Sequence, residues 1–284
     1  MIDAKILVDS SANLATGCDF VSSVPLKIIT AEKEYIDDEN LNTSAMVWDL
    51  KTYTGKSSTA CPSPQDWLDK FEDKPYVFCI AITSNLSGSC NAATIAKADY
   101  EQEHPDRKVC VIDTLSTGGE MELNAEKIQQ WIGEDFSFDE ICEKAKDYQQ
   151  HTGLMFMLES MQNLANNGRV NKIVAKAAGI LGIRAVGRAS DVGTLEPMEK
   201  CRGEKKAVAA LADHMVAMGY EGGKMRISHC LNPAAAEALK ETIHAAYPQA
   251  DIKIRPTGGL CSFYAEKGGL IIGFEKYQNS LDSH

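Results

Sequence analysis

Apolar residues in the first half of the chain fall in short unbroken runs separated by amphipathic stretches. Ile6–Val8, Val24–Ile29, Val77–Ile82 and Val109–Ile112 are strand-length runs with little internal polarity, as expected of strands buried on both faces of a parallel sheet. Between the runs the spacing becomes helical. Thr43 can cap a stretch that places Met46, Val47 and Leu50 on one face, and Ser63, Pro64 and Asp66 form a start signal ahead of Trp67, Leu68 and Phe71. A helix through Ala92, Ala96 and Tyr100 follows. Ser137 with Glu140 then makes a capping box for a helix bearing Phe138, Ile141, Cys142, Ala145 and Tyr148. Such alternation predicts an α/β, Rossmann-like N-terminal domain whose ligands lie beyond the carboxyl ends of its strands.

The pattern changes after about residue 153. Leu154–Leu158 reads as a strand, and 179–187 and 194–200 read as extended segments close in sequence. A helix carrying Val208, Leu211, Ala212, Met215 and Val216 follows, then a strand at Met225–Ser228 and a helix opened by Asn232 and Pro233. Ile252–Ile254 and Leu270–Phe274 supply two more strands. Several strands with two packed helices predict a smaller α+β C-terminal domain. The expected division is 1–153 and 154–284. Met155, Met157, Met161, Met215 and Met218 read as core filler, or else as the lining of an adaptable apolar tunnel.

Composition narrows the function classes. Twenty-nine basic against 40 acidic residues give a net charge of −11, which offers no bulk attraction to nucleic acid or anionic membrane and disfavours a DNA-binding regulator. Nine cysteines without C-x-x-C spacing argue against a disulfide scaffold or structural zinc and fit a reducing cytoplasm. The six histidines show no metal-ligand spacing, so no metal site is expected. The start has no basic n-region or h-region and no run reaches membrane length, so a cytoplasmic protein without a membrane span is expected.

Candidate chemistry lies in hydroxyl-rich turns. Asp9-Ser10-Ser11, the segment from Thr83 through Ser84, Asn85 and Ser87 to Gly88, and Asp113-Thr114 follow strands; Ser57–Ser63 precedes a helix. Helix N-termini expose unpaired N–H groups, so such turns suit a carboxylate or phosphate, although ordinary capping is the commonest use of these residues. Asp9 resembles the first acid of a phosphotransferase loop, but Ser11 stands where a second acid is wanted. Gly118-Gly119 lacks the Lys-Ser/Thr of a P-loop. Cys261-Ser262, in a glycine-flanked loop, has no base assigned to it, and a buried structural thiol is the simpler reading. A small phospho- or acyl-transferring enzyme using Asp9, Asp113 and the hydroxyl turns is the alternative function.

Five collinear segments carry a resemblance. Ile6–Leu14 resembles the opening strand and turn of the DegV family, and Thr59–Pro64 its T-S-x-P-S segment. Ile82–Ser89 is similar to its I-S-S-x-L-S-G-T signature, Val111–Gly119 to its next strand and glycine-bearing turn, and Asn163–Val170 to its L-x-x-G-G-R-I stretch. The resemblance implies a long-chain fatty acid held between the two domains, no other cofactor, and no catalysis by the chain itself. It further implies that the chain presents the carboxylate to a separate ATP-binding fatty acid kinase subunit. Carried over by residue, Thr59 and Ser84 bind the carboxylate, helped by the backbone around Ser84 and Asn85, and Arg169 supports the head-group region or the partner surface. The chain departs from the family pattern in two places. Ala60 replaces the serine of T-S-x-P-S, and Cys261 or Ser262 stands roughly where kinase-linked members carry a histidine. Lipid binding survives these changes more easily than phosphorylation does.

Overall fold

The computed structural model describes residues 2–16, 18–171 and 182–277. Four parallel strands, β1 (Ala4–Asp9), β2 (Ser22–Val24), β6 (Tyr76–Ala81) and β7 (Lys108–Asp113), form a sheet in the order β2-β1-β6-β7. Their alternation fills two cores. Ile6, Val8, Phe78 and Ile80 face one side; Leu7, Val77 and Cys79 face the other. The first side is covered by α4 (Gly119–Gly133) and α5 (Phe138–Tyr148), the second by α2 (Pro64–Leu68) and α3 (Ser89–Glu103). Trp67 and Phe71 are fully buried there, and the capping box of Ser63 with Asp66 starts α2.

The apolar run Val24–Ile29 is not one strand. Pro25 interrupts it, and β3 (Lys27–Thr30) leaves for a small antiparallel sheet with β4 (Glu34–Ile36) and β5 (Ser57–Ala60). Proline removes the N–H that a continuing ladder requires. The helix predicted after Thr43 is α1 (Thr43–Thr52), capped by Asn42, whose side-chain oxygen accepts from the Ala45 N–H.

The remaining strands build a mixed sheet of order β10-β9-β8-β13-β11-β12: β8 (Thr152–Leu158), β9 (Ile183–Ala189), β10 (Leu195–Arg202), β11 (Met225–His229), β12 (Ile252–Pro256) and β13 (Leu270–Glu275). All neighbours are antiparallel except β11 and β12. Of the extended segment read at 179–187, residues 179–181 lie outside the described residues. One face of this sheet packs on α7 (Glu204–Ala217) and α8 (Pro233–Ala246) and takes up Met155, Met157 and Met215 as core. Leu154, Phe156 and Leu158 point to the opposite face, toward α6 (Gln162–Asn166), α1 and the small sheet. This arrangement is the Rossmann-like layer plus α+β layer expected of the fold class.

Besides the short α6, two helices escape the sequence pattern. The first, α4, buries Glu120, Glu122 and Asn124 along with its apolar residues, so its buried face does not read as an apolar stripe. The second, α9 (Gly259–Ala265), stands where a loop was expected, with Leu260–Phe263 and Ala265 buried. The Asp37 carboxylate accepts from the Gly259 and Leu260 N–H groups at its start, at 2.5 and 2.8 Å.

Helix α4 belongs to the first layer yet presses on the second. Added to Gly119, a Cβ would overlap the Arg226 carbonyl and sit 2.7 Å from the Gly273 nitrogen; added to Gly273, it would overlap the Glu120 nitrogen. About two turns further along, Arg226, 1% exposed, donates to Glu126 through Nε and Nη2 at 2.9 and 2.6 Å. Arg255 grips Glu122 through Nε and Nη2 at 3.0 and 2.6 Å, and Lys253 reaches Glu126 at 2.7 Å. Burial raises the Glu126 carboxyl, but Arg226 and Lys253 outweigh it and bring it down to about 2.

Two consequences are measurable. Gly273→Ala forces backbone apart at a packed contact and should cost about 1–3 kcal/mol in urea denaturation; an unchanged midpoint would contradict the contact. For Glu126 the folded pKa lies below the unfolded value near 4.5. Its contribution to stability is therefore complete above about pH 4.5 and lost as pH falls toward 2. Glu126→Gln should flatten the acid limb of the stability–pH curve over that window.

Candidate functional site

Between the mixed sheet and the C-terminal ends of the parallel strands lies a cavity of about 310 Å³, within the usual range for small-molecule sites. Its sheet wall is Leu154, Phe156, Leu158, Ile271 and Leu195. The facing wall comes from Leu26, Ile82, Leu86 and Leu260, with Leu164 closing one flank. Alternation along β8 explains the sheet wall: residues two apart share a face, so one strand lends three side chains.

Polar groups enter at a few points. Thr59, on β5, is hydrogen-bonded through Oγ1 to the Tyr264 hydroxyl at 2.7 Å. The Arg169 guanidinium lies 5.8 Å above the Tyr264 ring and donates through Nε to the Leu86 carbonyl at 3.2 Å, so it ties α9 to the 83–88 turn. Burial raises the Tyr264 phenol above its ordinary value, although Thr59 and Arg169 pull it down; it is a neutral hydroxyl donor. Ser87 and Gly88 also line the cavity, and Gly88 is the N-cap of α3, which has no side-chain cap. A helix N-terminus of this kind favours an anion.

Cys261 lines the same space as a buried thiol. Burial pushes its thiol up to about 12, and its Sγ donates to the Ser11 carbonyl at 3.2 Å. Cys61, also in the lining, is exposed.

The sequence-derived residues separate into two groups. Thr59, Arg169 and Cys261 meet at the cavity. Ser84 and Asn85 are exposed and outside its lining. The Ser84 N–H donates to Asp113 Oδ1 at 3.1 Å, while Asn85 Nδ2 donates to the Val192 carbonyl at 2.6 Å and ties down the β9–β10 turn. Ser262 points away from the cavity and pairs with Thr257 Oγ1 at 2.6 Å. Sequence marks Ser87 only as one hydroxyl of the 83–88 turn, and Tyr264 not at all. Tyr264 lies three residues after Cys261, on the same face of α9, a signal visible only once that segment is known to be helical.

The acids of the alternative reading are committed to structure. Asp9 is fully buried; its Oδ1 accepts from Ser11 N–H and Oγ, and its Oδ2 from the Ile82 N–H and Ser89 Oγ at 2.8 and 2.7 Å. Asp113 accepts from the Ser84 and Leu115 N–H groups. Neither lines the cavity. Among the described residues, no group of His, Cys, Asp or Glu is arranged to hold a metal ion, and no helix is long and apolar enough to cross a membrane.

A model for the family described as uncharacterised protein, DegV family, matches residues 3–276. A DegV domain-containing protein of Streptococcus pneumoniae strain R6 is 44% identical over 277 residues, covering 95% of this chain and 98% of the relative. Among solved structures, the S. pneumoniae Fatty Acid Kinase (Fak) B3 protein loaded with linoleic acid superposes with a TM-score of 0.95 at 42% identity, covering 98% of this chain and 100% of that one. A DegV family protein of Eubacterium eligens loaded with heptadecanoic acid gives a TM-score of 0.94 at 42% identity, over 96% and 100% of the two chains.

The Asn85–Val192 bond holds the β9–β10 turn against the first layer. Asn85→Ala should speed hydrogen–deuterium exchange of the 190–194 amides by about fivefold, as expected for loss of one hydrogen bond near 1 kcal/mol. Unchanged exchange there would show that the turn is held by other contacts.

Proposed function

The chain belongs to the DegV family, and on that premise we propose that it is a carrier of a single long-chain fatty acid, held between units 1–153 and 154–284. The observation that carries this reading is the apolar cavity between the two layers, with a small cluster of hydroxyls at its lining and an N-terminus of α3 beside it. Relatives at 42% identity that were crystallised with linoleic and heptadecanoic acid support it. At about 0.8 kcal/mol per buried methylene, some fifteen carbons supply on the order of 10 kcal/mol gross, a good part of which association and ordering consume. The polar groups then need only orient one carboxylate.

In this reading the Thr59–Tyr264 hydroxyl pair, with the one proton its own hydrogen bond leaves free, and Ser87 receive the carboxylate by hydroxyl donation, and Arg169 holds the 83–88 turn in place and adds positive potential. Cys261 contributes packing. Ser84 and Asn85 act through the turn they shape. The chain is a binding subunit without catalysis of its own, and an ATP-binding kinase subunit is its partner, as the kinship with the Fak B3 protein supports. Such a partner would approach where the carboxylate reaches the surface, near exposed Cys61 and Gly88.

Freshly purified protein analysed by native mass spectrometry should carry one long-chain fatty acid per chain, and Thr59→Ala should weaken fatty-acid binding about fivefold, the effect of one lost hydrogen bond. A chain that is always isolated empty and fails to bind added fatty acids of any length would overturn the proposal.

A further inference from the structure

Phe156 stands alone among the aliphatic side chains of the sheet wall. It lies on β8 directly opposite Gly187 on β9 and Ile271 on β13, and is 2% exposed. A Cβ added to Gly187 would overlap the Phe156 Cζ and lie 2.9 Å from its Cε2. The ring therefore leans across β9 and fills the room that a side chain at 187 would take. Beyond β9 is the edge strand β10, whose Leu195 is also in the cavity lining. In the strand register Gly187 faces Pro197 and Leu195 faces Ala189, so the ring occupies the sheet face over Gly187, diagonal to Leu195.

We infer that Phe156, seated over Gly187, is the residue that gauges the acyl chain by limiting how much tail the sheet face accepts toward β10. The inference rests on the reading of the cavity as a fatty-acid site and adds to it a specificity determinant. The physical basis is stiffness. A phenyl ring pinned by its cross-strand neighbour keeps its place, whereas Leu154 and Leu158 on either side can change rotamer to suit a guest. Gly187 is the seat and Phe156 the gauge. Alanine at 187 would also overlap the Glu196 carbonyl and so disturb the β9–β10 pairing, which makes Phe156 the position to test.

The test compares wild type, Phe156→Leu and Phe156→Ala in displacement of a fluorescent fatty acid by saturated acids of 12 to 20 carbons, with thermal melts to confirm folding. Phe156→Ala should move the preferred length upward by about two to four carbons, because each methylene newly buried is worth roughly fourfold in affinity. Phe156→Leu should fall between the two. It retains a side chain of the kind already present at 154 and 158, and it decides the question if the alanine variant does not fold. The same ranking of chain lengths in wild type and the folded variants overturns the gauge while leaving the carrier intact. Absence of binding by wild type at every length overturns the carrier itself, and the gauge with it.

Discussion

The fold depends on one close approach of two backbones. Helix α4 grows out of the parallel sheet, and its first residue, Gly119, meets Gly273 in the middle of the mixed sheet with no side chain between them. Two layers that touch through backbone have no slack, so their separation is set at that point. The ion pairs of Glu122 and Glu126 with Arg255, Arg226 and Lys253 fix the rotation about it. Burying such charges contributes little net stability when every partner is present, but loss of one partner leaves a charge stranded. The cluster therefore specifies one docking geometry more than it adds binding strength.

That geometry makes the cavity. With the layers pinned at α4, the sheet face carrying Leu154, Phe156 and Leu158 stands off from the 83–88 turn and α9, and the gap is lined from both sides. Asp37 holds the start of α9, Arg169 links the 83–88 turn to Tyr264, and Asn85 fastens the far turn. The polar residues around the site mostly hold walls in place. Few of them face the guest, in keeping with a ligand whose free energy of binding comes from methylenes.

Three of the four parallel strands were legible because burial on both faces leaves unbroken apolar runs, whereas β2, Ser22–Val24, carries two serines and was not; the helices with capping boxes were legible because Ser63 and Ser137 announce them. Helix α4 was hidden because its interlayer position buries acids that a surface helix would expose. Helix α9 was hidden because it is short and buried nearly all round. The site was legible to the same degree. Thr59 sits on β5, whose register β3 sets, and Arg169 follows the end of α6; both reach the cavity. In the turn from Thr83 to Gly88, spacing cannot tell which hydroxyl faces inward. The Leu86 and Ser87 N–H groups both return to the Thr83 carbonyl, and the curled turn presents Ser87 and leaves Ser84 outside.

Asp9 carries a lesson about how such chains are interpreted from variation. It joins the first strand's turn, the end of β6 and the start of α3 through four accepted hydrogen bonds, working as a peg through three boards. A screen that scores loss of function would rank this carboxylate with any catalytic acid, because pulling the peg loosens every loop around the cavity mouth. Intolerance to substitution at such a position reports carpentry, and a reader who equates it with chemistry would mistake a structural acid for a catalytic one.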